Sequence, residues 1–378
     1  MKSVRVFKIM LALLIGAVIV VAFAACQRDA EAQPLRIGVA GAHSGDLASY
    51  GLPTVNAAEL VAEMYNENGG INGSRIQLFI EDDVCQPEVA ANTAAKLVGD
   101  GVVAVIGHIC SGATFAALGT YLDSDILAIS PSATAPDLTQ SGDYPNFFRT
   151  IASDDAQARM QVEFALDTLG AQRIAVLHDR GDYGRGLAEN ARDFIEGDGR
   201  AEVVVFDGVT PGAVDYSAII ARIEQSNADA IIYGGYHPEA SRIVGQMRDR
   251  GMGTLFISGD GVKDDTFIQT AGPASEGVYA TGPMDLSGNP VAVEAAQRHR
   301  DKYGEEPGPF FLEAYAAALA LFNAIEIGGT TYEGITNALR NNTVDTSVGP
   351  VRFDARGDAE GVGFAVYQVQ NGEYVELR

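Results

Sequence analysis

From Leu35 onward, short apolar runs of β type alternate with longer amphipathic stretches, and this rhythm predicts the fold class before any single residue does. "LRIGVA" reads as a strand, and the segment 50–67 after it puts Val55, Ala58, Ala62 and Tyr65 on one helical face. "GGINGSR" breaks that helix, because glycine and Asn-Gly favour turns. "RIQLFIEDD" then alternates Ile76, Leu78 and Ile80 on one side of a strand. A helix over 87–98, the strand "VVAVIG", a helix over 114–122 and the strand "ILAIS" continue the series. Pro87 suits a first helical turn, where its missing N–H is harmless. After "NFFRTIASDD" the rhythm restarts with the buried-type strands "RIAVLHD", "AEVVVFDG", "DAIIYGG" and "GTLFISGD". A helix-rich stretch, 289–341, and a terminal hairpin turning at Asn371-Gly372 complete the pattern. Strands alternating with helices imply βαβ units and parallel sheets. The expectation is two doubly wound α/β lobes, whose ligands sit beyond the carboxyl ends of the strands.

Length supports two lobes, since 378 residues exceed what one core usually sustains. The first 25 residues stand apart: Lys2, Arg5 and Lys8 precede an uncharged run over 9–25, the form of an export signal. An uncleaved anchor is the alternative, and the run is slightly short for one. No later stretch reads as a span. "AFAAC" makes Cys26 a candidate for lipidation, and "AEA" at 30–32 is the competing cleavage motif. Without the three basic residues of the signal, 23 remain against 50 acidic ones, a net charge of −27. Such a surface repels nucleic acid and offers anionic lipid no basic patch. Beyond Cys26 only Cys85 and Cys110 remain, and two cysteines in an exported chain most simply pair.

The stretch "IGHICSGAT" is where chemistry is expected. Ser111 lies in G-H-I-C-S-G rather than G-x-S-x-G, so no strained hydrolase elbow is signalled. His108, Cys110 and Cys85 could chelate a metal, but a fourth ligand is not evident and disulfide pairing competes for both sulfurs. "EDDVC" and "GDGVKDD" lack the ligand order of a calcium loop, and the chain has no phosphate-cradling glycine motif. A hydroxyl lip fits better. Ser111 and the "SPSATAP" segment each follow a strand, and hydroxyls with free backbone N–H groups there can hold a carboxylate. Neither lip segment contains arginine, which favours a ligand of zero net charge. The alternative for Ser111 and Thr134 is helix capping. In the second lobe, Tyr236 follows one strand and Asp260 the next. An acid there can pair with an ammonium, on which Tyr183 and Tyr236 could stack; turn formation is the alternative for Asp260. Together the two lips would grip an α-amino acid across a closing cleft.

"GAHSGDLASYG", "NENGGINGSRIQLFIEDDVCQPEVA", "VIGHICSGAT", "SPSATAPDLT", "HDRGDYGRGLA", "VTPGAVDYSAIIARI" and "YGGYHPE" resemble the leucine/isoleucine/valine-binding proteins, the periplasmic receptors of branched-chain amino-acid ABC transporters. The likeness runs in order through essentially the whole mature chain. It implies a type I periplasmic-binding fold with a three-crossover hinge: signal 1–25, lobe 1 over 35–152 plus 283–362, lobe 2 over 153–282 plus 363–378. It implies a disulfide between Cys85 and Cys110, and a ligand carboxylate held by Ser111 and the Ser132, Ala133, Thr134 segment, with Ser132 acting through its backbone. Tyr50 and Phe310 would wall the side-chain pocket, while Tyr183, Tyr236 and Asp260 face the amino group. Asp260 stands where the leucine-type members usually carry glutamate, leaving room for about one more methylene. The implied function is capture without conversion: a monomer with no cofactor and no metal, tethered to the membrane only through Cys26, which hands Leu, Ile or Val to permease subunits. A sensor for amides or other small amino acids is the alternative, because the same fold serves regulators.

Overall fold

The computed structural model describes residues 33–286 and 288–377; the export signal, Cys26 and the motif at 30–32 lie outside the described residues. In the first half, β1 (Leu35–Gly41), α1 (Ala48–Glu67), β2 (Ile76–Asp82), α2 (Pro87–Gly99), β3 (Ala104–Ile106), α3 (Ser111–Leu122), β4 (Leu127–Ser130), α4 (Asp137–Gln140) and β5 (Phe147–Arg149) follow in turn. Their strands form a parallel sheet in the order β2-β1-β3-β4-β5. The near-continuous apolar strands follow from this, because a parallel sheet is covered on both faces. Ile37, Ile106 and Ile129 pack into one core, and Val105, Ala128 and Phe147 into another on the opposite face.

The second half contributes α5 (Asp154–Glu163), β6 (Arg173–His178), α6 (Asp182–Asp198), β7 (Glu202–Gly208), α7 (Ser217–Ser226), β8 (Ala230–Gly234), α8 (His237–Asp249), β9 (Leu255–Ser258), α9 (Asp265–Ala271) and β10 (Tyr279–Pro283). Then come α10 (Pro290–Tyr303), α11 (Phe311–Gly328), α12 (Tyr332–Asn341), β11 (Val344–Thr346), β12 (Gly349–Val351), β13 (Phe364–Gln370) and β14 (Glu373–Glu376). The larger sheet runs β14-β13-β10-β9-β8-β6-β7. Its β7-β6-β8-β9-β10 portion is parallel and repeats the order of the first sheet, while β13 and β14 add antiparallel strands at one edge. The hairpin turns at Asn371 and Gly372, both with positive φ, as its Asn-Gly sequence predicts. Each sheet therefore has a switch point, between β1 and β3 and between β6 and β8, and ligand crevices open at such points.

The chain crosses between the sheets after β5, after β10 and between β12 and β13. On the middle passage α11 packs into the first core with α1, burying Phe311, Leu321 and Phe322. This helix corrects the reading that no later stretch could span a bilayer: its 18 residues reach a mean hydropathy of 1.4. Its apolar surface is instead taken up inside the fold, where Phe322→Ala is expected to cost ~3–5 kcal/mol. Two further differences bear on the site. The helix read over 114–122 begins at Ser111, and "SPSATAP" leads into a helix of only four residues, so the two lips are not alike. The periodicity also passed over β5 and α5, because three buried residues are too short a run and α5 is rich in polar side chains.

Candidate ligand-binding site

A pocket of ≈ 280 Å³, measured to its open mouth, lies between the carboxyl ends of β3 and β4 on one side and β8 and β9 on the other. Tyr50, Ser132, Tyr183, Tyr236, Asp260 and Phe310, all expected from the sequence, are on its wall, joined by Ile109, Cys110 and Gly261. Rings dominate: Tyr50 lies 5.6 Å from Phe310, and Tyr236 lies 5.1 Å from Tyr183. Phe310 adopts a left-handed conformation, φ 60°, at the start of α11. The Tyr50 hydroxyl donates across the seam to the Gly261 carbonyl at 2.8 Å, and Ser49 reaches Asp264 in the same way. Gly261 has to be glycine, because a Cβ would meet the Gly235 carbonyl at 2.7 Å and the Tyr183 ring at 2.9 Å.

One side of this pocket is anionic. Asp260, 3% exposed, accepts hydrogen bonds from the Tyr183 hydroxyl at 2.6 Å and from Gln157 Nε2 at 3.1 Å. Tyr183 was expected to offer its ring face to a cation; here its hydroxyl orients the carboxylate, and burial beside that anion keeps the phenol protonated. Asp154, at the first turn of α5, is fully buried on the other side of Gln157, whose Nε2 lies 3.4 Å from Asp154 Oδ1. Burial pushes the Asp154 carboxyl well above the ordinary carboxylate range, and the neighbouring Asp260 pushes it further. Burial also raises Asp260, against the Tyr183 and Gln157 hydrogen bonds that favour its ionised form. A buried carboxylate held by hydrogen-bond donors, with a second carboxyl nearby that it raises, makes a site for a cation. Asp154 and Gln157 escaped the sequence reading, because α5 is rich in polar side chains and starts after an irregular stretch, 150–153, that follows β5.

The opposite side carries the hydroxyl lip. Ser111, Ala133 and Thr134 are buried next to the pocket, not on its wall. Ser111 Oγ accepts from the Ala135 N–H at 3.2 Å, which leaves its own proton to donate. Among the described residues, Thr134 Oγ1 and Asp154 Oδ2 have no hydrogen-bond partner of ordinary geometry, although both are buried. They are neighbours: the Asp154 N–H donates to the Thr134 carbonyl at 2.9 Å, and the Thr134 hydroxyl faces the Asp154 carboxyl and opposes its upward shift. The Ser132 N–H points to Ser130 Oγ at 3.3 Å and the Ser132 hydroxyl donates to the Ile109 carbonyl at 2.9 Å. Capping does not explain Ser111, because the N-cap position belongs to Cys110. Although neither lip segment contains an arginine, the fold brings Arg149 of β5 behind one of them, fully buried, with Nη1 donating to the Ala135 carbonyl at 3.0 Å.

The other chemistries lose their parts. Cys85 and Cys110 are joined as a disulfide with Cα atoms 5.6 Å apart, so neither sulfur is free as a ligand or nucleophile. His108 is buried with Nδ1 against Asp83 at 2.6 Å and Nε2 against the Tyr121 hydroxyl at 2.9 Å. Its ring is fully engaged away from Ser111.

A family model described as periplasmic binding protein matches residues 34–373. The chain belongs to the periplasmic binding protein family. Among its relatives, the leucine-specific-binding protein of Salmonella typhimurium is 36% identical over 345 residues, 91% of this chain and 93% of the relative. The Leu/Ile/Val-binding protein of Escherichia coli K12 is 37% identical over 338 residues, covering 89% and 91%. The crystal structure of a leucine-binding protein, LivK, from Thermotoga maritima superposes with a TM-score of 0.85 at 26% identity, covering 91% of this chain and 98% of that one. This periplasmic binding protein therefore has the type I fold expected from the alternating strands and helices.

Proposed function

We propose that this periplasmic binding protein captures a branched-chain α-amino acid between its two sheets and passes it to a membrane permease. The observation that supports the reading is the buried Asp260 carboxylate, oriented by Tyr183 and Gln157 on one side of the pocket, with the donors of Ser111 and the Thr134 segment buried behind the other side. The ligand ammonium then pairs with Asp260, and the ligand carboxylate meets Thr134 and Ser111. No cation lines this pocket, so the two charges must come on one molecule, a zwitterion. The side chain then lies against Tyr50, Ile109, Tyr236 and Phe310. Such a wall rewards apolar area at about 25 cal/mol per Å². One methylene changes affinity by only ~1–3 kcal/mol, so breadth among Leu, Ile and Val follows. The names of the relatives, leucine-specific and Leu/Ile/Val-binding, agree with this choice. Lobe 1 over 35–152 plus 283–362 and lobe 2 over 153–282 plus 363–378 move as units in this scheme, with Cys26 tethering the receptor at the membrane.

A thermal-shift screen against the twenty amino acids and small amides tests the proposal. Leucine, isoleucine and valine are expected to raise the melting temperature most, through mass action on the folded state. A shift with amides alone would favour a sensor, and turnover of any compound would favour an enzyme.

A further inference from the structure

Sequence and pocket present a carboxylate site with no cation on its surface, yet a cation lies one peptide behind it. Arg149 is fully buried and its guanidinium is divided between two jobs. Its Nε donates to Asp358 Oδ1 at 2.6 Å and its Nη2 to Thr139 Oγ1 at 2.8 Å, while Thr139 in turn donates to Asp358 Oδ2 at 3.1 Å. Nη1 is left to face the lip, at 3.0 Å from the Ala135 carbonyl and 3.4 Å from the Ala133 carbonyl. The arginine itself is held by its backbone, whose N–H donates to Gly357 and whose carbonyl accepts from Ala359. Gly357 takes φ 104° there, and a Cβ would meet the Phe147 carbonyl at 2.1 Å.

The geometry points to Arg149 as a positioning residue for ligand capture, the charge that makes an uncharged lip prefer a carboxylate. The Ala133 carbonyl belongs to the same peptide unit as the Thr134 N–H, which has no acceptor among the described residues. A cation on the carbonyl end of a peptide polarises its N–H end, strengthening it as a donor in a low-dielectric site. The Ala135 carbonyl is pinned by the same group, and the Ala135 N–H holds Ser111 Oγ, so both donors of the lip are set from one buried fork. Asp358 sits on the guanidinium edge away from the lip, so the positive end of the pair faces the ligand.

This inference rests on the zwitterion reading, and its test separates the two. L-Leucine and L-leucinol, in which CH₂OH replaces the carboxylate, are titrated calorimetrically into wild type, Arg149→Met/Asp358→Asn and Arg149→Lys. The double variant leaves no buried unpaired charge, which would otherwise threaten folding. Wild type is expected to favour leucine over leucinol strongly. The double variant should lose at least about tenfold of that preference, as a weakened charge-assisted contact implies, and Arg149→Lys should recover most of it. A role confined to supporting the loop would weaken both ligands by the same factor, and that unchanged ratio overturns the inference. Wild type that fails to bind leucine overturns the zwitterion reading itself, whatever the variants do.

Discussion

In the proposed site, Asp260 is the residue on which binding is expected to turn. Asp260→Ala removes the ionised partner of the ligand ammonium while the β9 strand and the Tyr183 ring keep their packing, so the account expects at least about a hundredfold loss of leucine affinity. Calorimetry showing unchanged affinity would remove Asp260 from the site. Glu313, at the first turn of α11, gives a different test. Burial raises its carboxyl from the ordinary 4.5 to about 7, with the nearby Asp260 adding to the rise and Lys263 opposing it. The folded state thus holds a proton that the unfolded chain has released, and stability falls as pH rises from about 4.5 to 7. The loss is on the order of 3 kcal/mol. Glu313→Gln should flatten that slope in denaturant titrations across the same window; an unaltered slope would show that Glu313 ionises freely. At this scale the sequence was legible where a functional side chain follows an apolar strand, as Asp260 and Tyr236 do. Asp154 was illegible because its role depends on Asp260, 106 positions away in the chain, and Arg149 because its partner is Asp358.

The elements around the pocket divide the same way. β strands with long apolar runs declared themselves, since burial on both faces leaves no polar interruption. The start of α3 did not: glycine and small residues after Cys110 give almost no helical periodicity, and the helix is fixed there from outside by the disulfide to the β2–α2 loop. That bond closes a loop with a sequence separation of 25. Its removal in Cys85→Ser/Cys110→Ser is expected to cost about 3–4 kcal/mol, read as a lower denaturation midpoint. Because Ser111 follows Cys110 directly, leucine affinity should fall as well. Intact affinity in a destabilised variant would mean that α3 finds its place without the covalent link.

In the whole molecule, the proposed capture closes two sheets on a ligand whose opposite ends each would hold. The Tyr50 hydroxyl crosses the seam to Gly261 and steadies that closed form. Tyr50→Phe loses one hydrogen bond worth about 0.5–1.5 kcal/mol, so affinity should drop by roughly two- to tenfold. The ligand-free protein should also expand in small-angle X-ray scattering; identical curves and affinity would assign Tyr50 to the wall alone. The two doubly wound lobes were readable from rhythm, whereas their 2-1-3-4-5 strand order and the strand ends that face each other depend on pairing and on the three crossings, which leave no periodic trace. The central claim, that one zwitterion spans this seam, is tested most directly by a crystal structure grown with L-leucine. The account predicts the ammonium within hydrogen-bonding distance of Asp260, and the carboxylate on the Thr134 N–H and the Ser111 hydroxyl. Leucine bound with its ends reversed, or lodged outside this pocket, would contradict it.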